Sequence, residues 1–397
     1  MAEIRNFNYL FGIKNCKFEK NKLMLPLFHS IYLETTRKCN LSCAYCSTGS
    51  NLKDKNFGEE LTSDEIINLI LKPAATLGSR FVVFSGGEFL LRNDSFYLLE
   101  EAQKMGYRIG IASNGTTLNQ ETINILKKIL GNNLIISLGV NSFTPKNADT
   151  RDKDEDFVLE TINLLKANNI NINISITIGQ FNKDTFSQTV EMVKALGLAY
   201  NRLPYVPRNS LCTNQMLDKE TLKACFHPVL NKYFNGFSSY HPLFLNECDY
   251  EKYSGQNSKT SKVPTNPSVG CWVGSYFAVT PEGEISPCPL FADQVTGGNI
   301  RNMPLKEILF ESTLFSQITN RQLLKGQCHS CKYNFTCGGC RVMAYFKSGD
   351  MFAEDPTCFI KDLNPEELSQ IEKQTAELFR NYVRMADVGG LFESGSA

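Results

Sequence analysis

The 397-residue sequence predicts an α/β fold: a partial (β/α)6 barrel or parallel sheet, followed by a small cysteine-rich domain. Three observations predict it. From about residue 30 to 235, β-prone apolar runs alternate with segments of helical period, as repeated βα units require. The stretch Ser254–Gly270 (SGQNSKTSKVPTNPSVG) then breaks the pattern, being polar, Pro/Gly-rich and nearly free of aliphatic residues, so it reads as a mobile linker. Finally, ten of the 14 cysteines fall in two groups, three between Cys39 and Cys46 and seven between Cys271 and Cys358.

In chain order, the short apolar runs Ile31–Thr35, Phe81–Ser85, Arg108–Ser113, Leu134–Leu138, Ile170–Ile178 and Arg202–Val206 read as strands. Helical periodicity places helices between them at Ser63–Leu71, Ser95–Lys104, Gln120–Leu130, Glu155–Ala167 and Lys183–Leu196, with another at Asp218–Phe234. Past the linker, Phe277–Thr280 and Glu284–Ser286 flank Pro281-Glu282-Gly283, a hairpin pattern in which Pro and Gly supply the turn dihedrals. An amphipathic helix, Pro365–Met385, and a Gly/Ser tail close the chain. The expected organisation is an N-terminal extension (1–29), a barrel (30–235), a linker (236–270), a cysteine-rich domain (271–362) and a C-terminal helix with tail (363–397).

Composition excludes several function classes. Lys+Arg and Asp+Glu both number 41, so no net field is available to hold a nucleic-acid backbone or an anionic membrane. No apolar run reaches the roughly 18 to 20 residues that span a bilayer, since Leu23–Leu33 is interrupted by Pro26, His29 and Ser30. A cytoplasmic protein is expected, and 14 cysteines in a reducing compartment point to metal-binding thiols rather than disulfides. The four histidines (29, 227, 241, 329) leave sulfur as the main ligand type.

Cys39-Asn-Leu-Ser-Cys43-Ala-Tyr-Cys46 stands on the loop after the first strand. Three thiolates at this spacing can hold three irons of a cubane and leave the fourth open to chelate a small molecule. A zinc knuckle that borrows His29 is the alternative for these residues. Ser85-Gly86-Gly87-Glu88 ends the second strand about 40 residues later, and two glycines permit a close backbone approach. Ala112-Ser113-Asn114-Gly115 ends the third strand, Ser137 the fourth, and Arg151 follows.

This order of motifs resembles the radical S-adenosylmethionine (SAM) superfamily, whose CxxxCxΦC signature has an aromatic at the position of Tyr45. The resemblance implies a [4Fe–4S] cluster on Cys39, Cys43 and Cys46, with SAM held by Tyr45, Ser85, Gly86, Gly87, Glu88, Ser113, Asn114, Ser137 and Arg151. Ser137 would meet the ribose, and the planar fork of Arg151 the methionine carboxylate. Phe89 stands where the family usually has Pro, and Leu138-Gly139-Val140-Asn141 replaces its Asp-Gly.

Cys271, Cys288, Cys328, Cys331, Cys337, Cys340 and Cys358 are too many for one four-ligand cluster and one short of two. With Gly297-Gly298-Asn299-Ile300 and Cys337-Gly-Gly-Cys340-Arg341, they resemble the SPASM domain that follows the TIM-like partial barrel in one branch of the superfamily. The resemblance implies one auxiliary [4Fe–4S] cluster on Cys328, Cys331, Cys337 and Cys358 and another on Cys271, Cys288 and Cys340, three clusters in all. Because Phe277 occupies the position where sulfatase-maturing members have a further Cys, the cluster on Cys271, Cys288 and Cys340 either keeps an open iron or borrows an upstream thiol, Cys248 being the candidate with Cys225 and Cys212 behind it. Those members also carry a base after the hairpin Cys; here Pro289 stands there and Asp293 is the nearby candidate. A zinc ribbon on the two CxxC pairs would leave Cys271, Cys288 and Cys358 without a role.

The expected activity is reductive SAM cleavage to a 5′-deoxyadenosyl radical that abstracts hydrogen, with a reductant such as flavodoxin or ferredoxin as partner. A peptide or protein side-chain maturase performing an oxidation or cross-link is the first expectation. The second is a small-molecule enzyme acting on tetrapyrrole side chains or sugars.

Overall fold

The computed structural model describes residues 28 to 376, apart from 29, 44, 47, 51–56, 132–133, 208–212, 233–272, 274–275, 319, 335–336 and 374. Cys248, Cys271 and the Ser254–Gly270 stretch therefore lie outside the described residues.

Six parallel strands, β1 (Ser30–Glu34), β2 (Phe81–Ser85), β3 (Arg108–Ser113), β4 (Leu134–Gly139), β5 (Asn171–Ile178) and β6 (Ala199–Pro204), lie side by side in chain order. Each is joined to the next by helical crossovers, which makes a partial (β/α)6 barrel. The crossovers are α1 (Ser63–Leu77), α2 (Ser95–Lys104), α3 (Gln120–Leu130), the pair α4 (Lys146–Arg151) and α5 (Glu155–Ala167), and α6 (Phe186–Ala195). Local chemistry fixes their starts. Thr62 and Glu65 form a reciprocal capping box at α1, while Asn119 and Asp154 accept the Thr122 and Phe157 N–H groups at α3 and α5. α1 runs six residues past its expected end at Leu71: a π segment, Ile66–Leu71, precedes Pro73 and accommodates its missing N–H, and Gly78 stops the helix with φ 106°.

β6 begins three residues earlier than expected and β4 runs on to Gly139. α7 (Lys219–Lys232) matches the expected sixth helix, and residues 365–376 include the described part of the C-terminal one.

The hairpin is more than an appendage. β7 (Tyr276–Val279) pairs in parallel with β1, Ser30 opposite Tyr276 and Leu33 opposite Val279. β8 (Glu284–Ser286) and β9 (Gly298–Asn299) then extend the same sheet antiparallel to nine strands. One apolar core serves both parts, for Phe28 meets Phe277 and Phe315 edge-to-face at ring distances of 6.1 and 5.5 Å. Beyond it come α8 (Leu305–Glu311), α9 (Thr313–Ile318), α10 (Gly326–Ser330) and α11 (Arg341–Ser348). A small second core of Tyr333, Phe359 and Ile371 packs against Cys331 and Cys337. No helix among the described residues is long and apolar enough to cross a membrane.

Candidate active site and cysteine clusters

The loops leaving the C-terminal ends of β1, β2 and β3 converge. Gly87 N–H donates to the Thr36 carbonyl at 2.6 Å and Glu88 N–H to the Lys38 carbonyl at 2.9 Å, so the Gly-Gly-Glu turn lies directly on the backbone leading to Cys39. A Cβ on Gly87 would come within 3.0 Å of the Lys38 and Arg37 carbonyl oxygens. The glycines thus permit approach to the cysteine loop itself, a role the sequence reading did not give them. Glu88 is fully buried and turned onto β3, where its carboxylate accepts from Ser113 Oγ at 3.0 Å and Asn114 N–H at 2.7 Å. Burial raises its pKa, and those two donors partly oppose the rise. The Asn114 side chain reaches back to Asn40 at 3.1 Å and to the Cys39 sulfur at 3.7 Å.

Cys39, Cys43 and Cys46 are partly exposed and form no disulfide. Burial raises the Cys39 thiol and pushes Cys43 up to about 11, with Arg151 opposing the rise at Cys43 and the neighbouring cysteines adding to it. Metal binding here must therefore displace protons.

Arg151 donates to the Tyr45 hydroxyl and packs on Gly139, where any Cβ would collide with its guanidinium. Tyr45 in turn stacks on Phe181 with ring centroids 5.2 Å apart. Ser137 lies two residues inside β4 rather than at its end, and its hydroxyl accepts from Asn173 at 3.1 Å. Asn173 also donates to Asn201 on β6. This polar line across β4, β5 and β6 was missed, although β5 spells it: Asn-Ile-Asn-Ile-Ser-Ile-Thr-Ile alternates strictly, whereas a parallel strand covered on both faces is continuously apolar.

Arg37, also missed, braces the cysteine loop to the hairpin. Its backbone N–H and guanidinium bind Glu60 and the Thr48 carbonyl, and its guanidinium also pairs with Glu282 at 2.8 Å and Asp293 at 2.9 Å. Asp293, the candidate base, is thus placed in an ion pair two residues from Cys39.

At the other end of the chain, α10 carries Cys328, and Cys331, Cys337 and Cys358 gather around it. Cys328 adds electrostatically to the raised pKa of Cys331, and both Cys337 and Cys328 add to that of Cys358; burial is the larger cause for each. Cys288 is buried and its sulfur accepts from the Tyr276 hydroxyl at 3.0 Å. Phe277 is core, and Cys225 on α7 is also packed in the apolar core, its thiol pushed up to about 11 by burial.

Among the described residues, no three His, Cys, Asp or Glu side chains are gathered tightly enough to hold one metal ion. A cubane needs no such convergence, because each thiolate takes a different iron. The donor chemistry, thiols almost exclusively and with backbone and amide N–H groups aimed at the sulfurs, fits iron–sulfur clusters. The sequence pattern of the radical SAM superfamily matches residues 33–195, and that of an iron-sulfur cluster-binding domain, SPASM, matches residues 271–332. The chain belongs to the radical SAM superfamily.

This radical SAM enzyme carries a SPASM domain and uses SAM and iron–sulfur clusters. An AdoMet-dependent heme synthase of Methanosarcina barkeri is 28% identical over 341 residues, 83% of this chain and 95% of its own length. An Fe-coproporphyrin III synthase of the same organism is 27% identical over 369 residues, covering 85% and 88%. SuiB of Streptococcus suis, solved bound to the precursor peptide SuiA, superposes with a TM-score of 0.63 at 16% identity, over 84% of this chain and 76% of that one. That likeness shows the shared fold.

Proposed function

We propose that this radical SAM enzyme oxidatively decarboxylates side chains of an iron tetrapyrrole. The observation that carries the reading is the nearly end-to-end similarity to an AdoMet-dependent heme synthase, 95% of whose length is matched. It supports this reading better than the peptide or protein maturase expected first, for which the comparisons offer fold likeness alone.

In this reading Cys39, Cys43 and Cys46 hold the cluster that binds SAM. Together the cluster and SAM supply a carbon radical able to remove hydrogen from an unactivated C–H bond. The Gly86–Gly87 turn, Glu88, Ser113, Asn114, Tyr45 and Arg151 hold SAM in place, Arg151 supplying the positive charge for its carboxylate. Ser137, Asn173 and Asn201 line the same sheet and offer polar contacts to ribose or substrate. After hydrogen removal, the side chain would release CO2 and one electron to leave an alkene; the SPASM cysteines would hold an auxiliary cluster able to accept that electron, which balances the one spent on SAM. A flavodoxin or ferredoxin is the reductant that starts the cycle.

Anaerobic incubation with Fe-coproporphyrin III, SAM and dithionite tests the substrate. The expected result is tetrapyrrole-dependent 5′-deoxyadenosine and a product lighter by CO2 plus two hydrogens per side chain, read by mass spectrometry. An unchanged tetrapyrrole, under conditions where the protein cleaves SAM reductively, overturns it.

We also propose three clusters: the SAM cluster, one on Cys328, Cys331, Cys337 and Cys358, and one on Cys271, Cys288 and Cys340 with Cys248 as the candidate fourth ligand. Reconstituted protein is then expected to hold about twelve irons and twelve sulfides, four per cubane. About eight irons would remove one auxiliary cluster from the scheme. About four irons with zinc would reassign the Cys328–Cys358 group to a structural zinc site.

A further inference from the structure

Arg341, the first residue of α11, has no exposed surface, and among the described residues no carboxylate forms an ion pair with it. Its Nη1 donates to the Met351 and Ala353 carbonyls at 2.9 and 2.7 Å, and its Nη2 to the Cys328 sulfur at 3.7 Å, while Nε has no hydrogen-bond partner. The buried carboxylate of Asp355 is committed elsewhere, accepting from Cys340 N–H, Thr357 N–H and Thr357 Oγ1. Asp350 feels its charge without touching the guanidinium, and a buried cation is costly, so a further negative group where this guanidinium points lowers that cost. It points at a proposed cluster ligand.

The surroundings are shaped for that contact. A Cβ on Gly339 would sit 2.7 Å from Arg341 Nη2 and 3.1 Å from the Cys328 sulfur, so this glycine leaves room for the two to meet. Neutral donors serve the other sulfurs: Tyr333 N–H to Cys331 at 3.4 Å, Gly339 N–H to Cys337 at 3.4 Å, and Gln327 Nε2 to Cys358 at 3.9 Å. Asp355 N–H adds a neutral donor to Cys328 at 3.4 Å. Arg341 is the charged donor of the group.

We infer that Arg341 is the counter-charge of the cluster held by Cys328, Cys331, Cys337 and Cys358, and that it sets that cluster's reduction potential. The inference rests on the ligand assignment proposed above. One electron, delivered in a titration by dithionite, takes the core from 2+ to 1+ and adds one negative charge. A cation at a ligand sulfur in a dry site stabilises that reduced form and raises the potential. In the working enzyme this would favour acceptance of the electron released by the substrate.

Redox titration followed by electron paramagnetic resonance (EPR), with iron counting, tests it. Cys328→Ala first identifies which reduced-state signal belongs to this site; if no signal is lost, the ligand assignment fails, independently of Arg341. Arg341→Gln should keep the iron and lower the reduced-to-oxidised ratio at the wild-type midpoint on the order of tenfold, a shift of about 59 mV for one electron. Arg341→Lys, which retains charge but not the fork, should fall between. An unmoved midpoint in Arg341→Gln overturns the inference and leaves Arg341 as a strut for residues 351–353. Should Gln cost iron at this site, Lys decides: iron retained with the charge supports the inference, and iron lost despite the charge overturns it.

Discussion

Replacing Cys39, Cys43 and Cys46 together with alanine is expected to remove about four irons and reduce 5′-deoxyadenosine formation from SAM to background. The loop should survive the change, because it loses only weak sulfur contacts, Cys39 with Leu41 N–H and Asn114 and Cys46 with Thr48, and keeps the bonds that tie it to its neighbours. Gly87 N–H to Thr36, Glu88 N–H to Lys38, and the Arg37 contacts to Glu60, Thr48 and Glu282 all remain. The three thiols are partly exposed, so little apolar burial is lost. The auxiliary cysteines lie on other elements and are expected to keep roughly eight irons. Iron analysis, chromatography of SAM products under dithionite and circular dichroism together check this outcome. Reductive SAM cleavage at the wild-type rate in the triple variant would sink the assignment of the SAM cluster to these cysteines.

Much of this arrangement was legible because parallel βα repeats write themselves locally. β2, β3 and the hairpin strand Glu284–Ser286 stand at the expected residues, and the Gly-Gly-Glu and Ser113-Asn114 segments end their strands as expected. What the sequence hid was long-range. Nothing local says that β7 pairs with β1, a contact nearly 250 residues away in the chain. Period and turn signals identify a hairpin without naming the sheet it joins. For the same reason Asp293 looked available for chemistry, whereas its partner, Arg37, lies 256 positions away. Ser137 was displaced for a smaller cause: β4 runs one residue further than expected, Gly139 pairing with Ser175 of β5. The polar line of Ser137, Asn173 and Asn201 was written in the alternation of β5, and an apolar count alone passed over it.

Gly87→Ala, one added methyl group, is expected to impair the site nearly as severely as loss of the ligands. The methyl would meet the Lys38 and Arg37 carbonyl oxygens at under 3.0 Å, and these are backbone atoms in a loop held from both sides, not the free ends of flexible side chains. Either the β2 turn or the segment entering Cys39 must move. Overpacking of this kind costs roughly 1 to 3 kcal/mol in stability. The larger effect falls on geometry: displacing a positioning element by about 1 Å can cost on the order of 100-fold in rate. The Glu88 N–H to Lys38 bond would be strained first, and with it the alignment of the Gly86–Gly87 carbonyls and Cys39 that SAM binding requires in the proposed site. Gly106→Ala is the matched control, since nothing lies within 4 Å of its added methyl and its φ of +80° imposes only a backbone cost away from the site. Thermal melts, SAM affinity and the rate of reductive cleavage should therefore separate the two variants. Gly106→Ala is expected to lose some stability and keep cleavage, whereas Gly87→Ala should lose cleavage far beyond its change in melting temperature. Equal effects on both properties in the two variants would mean that the turn contributes only to folding.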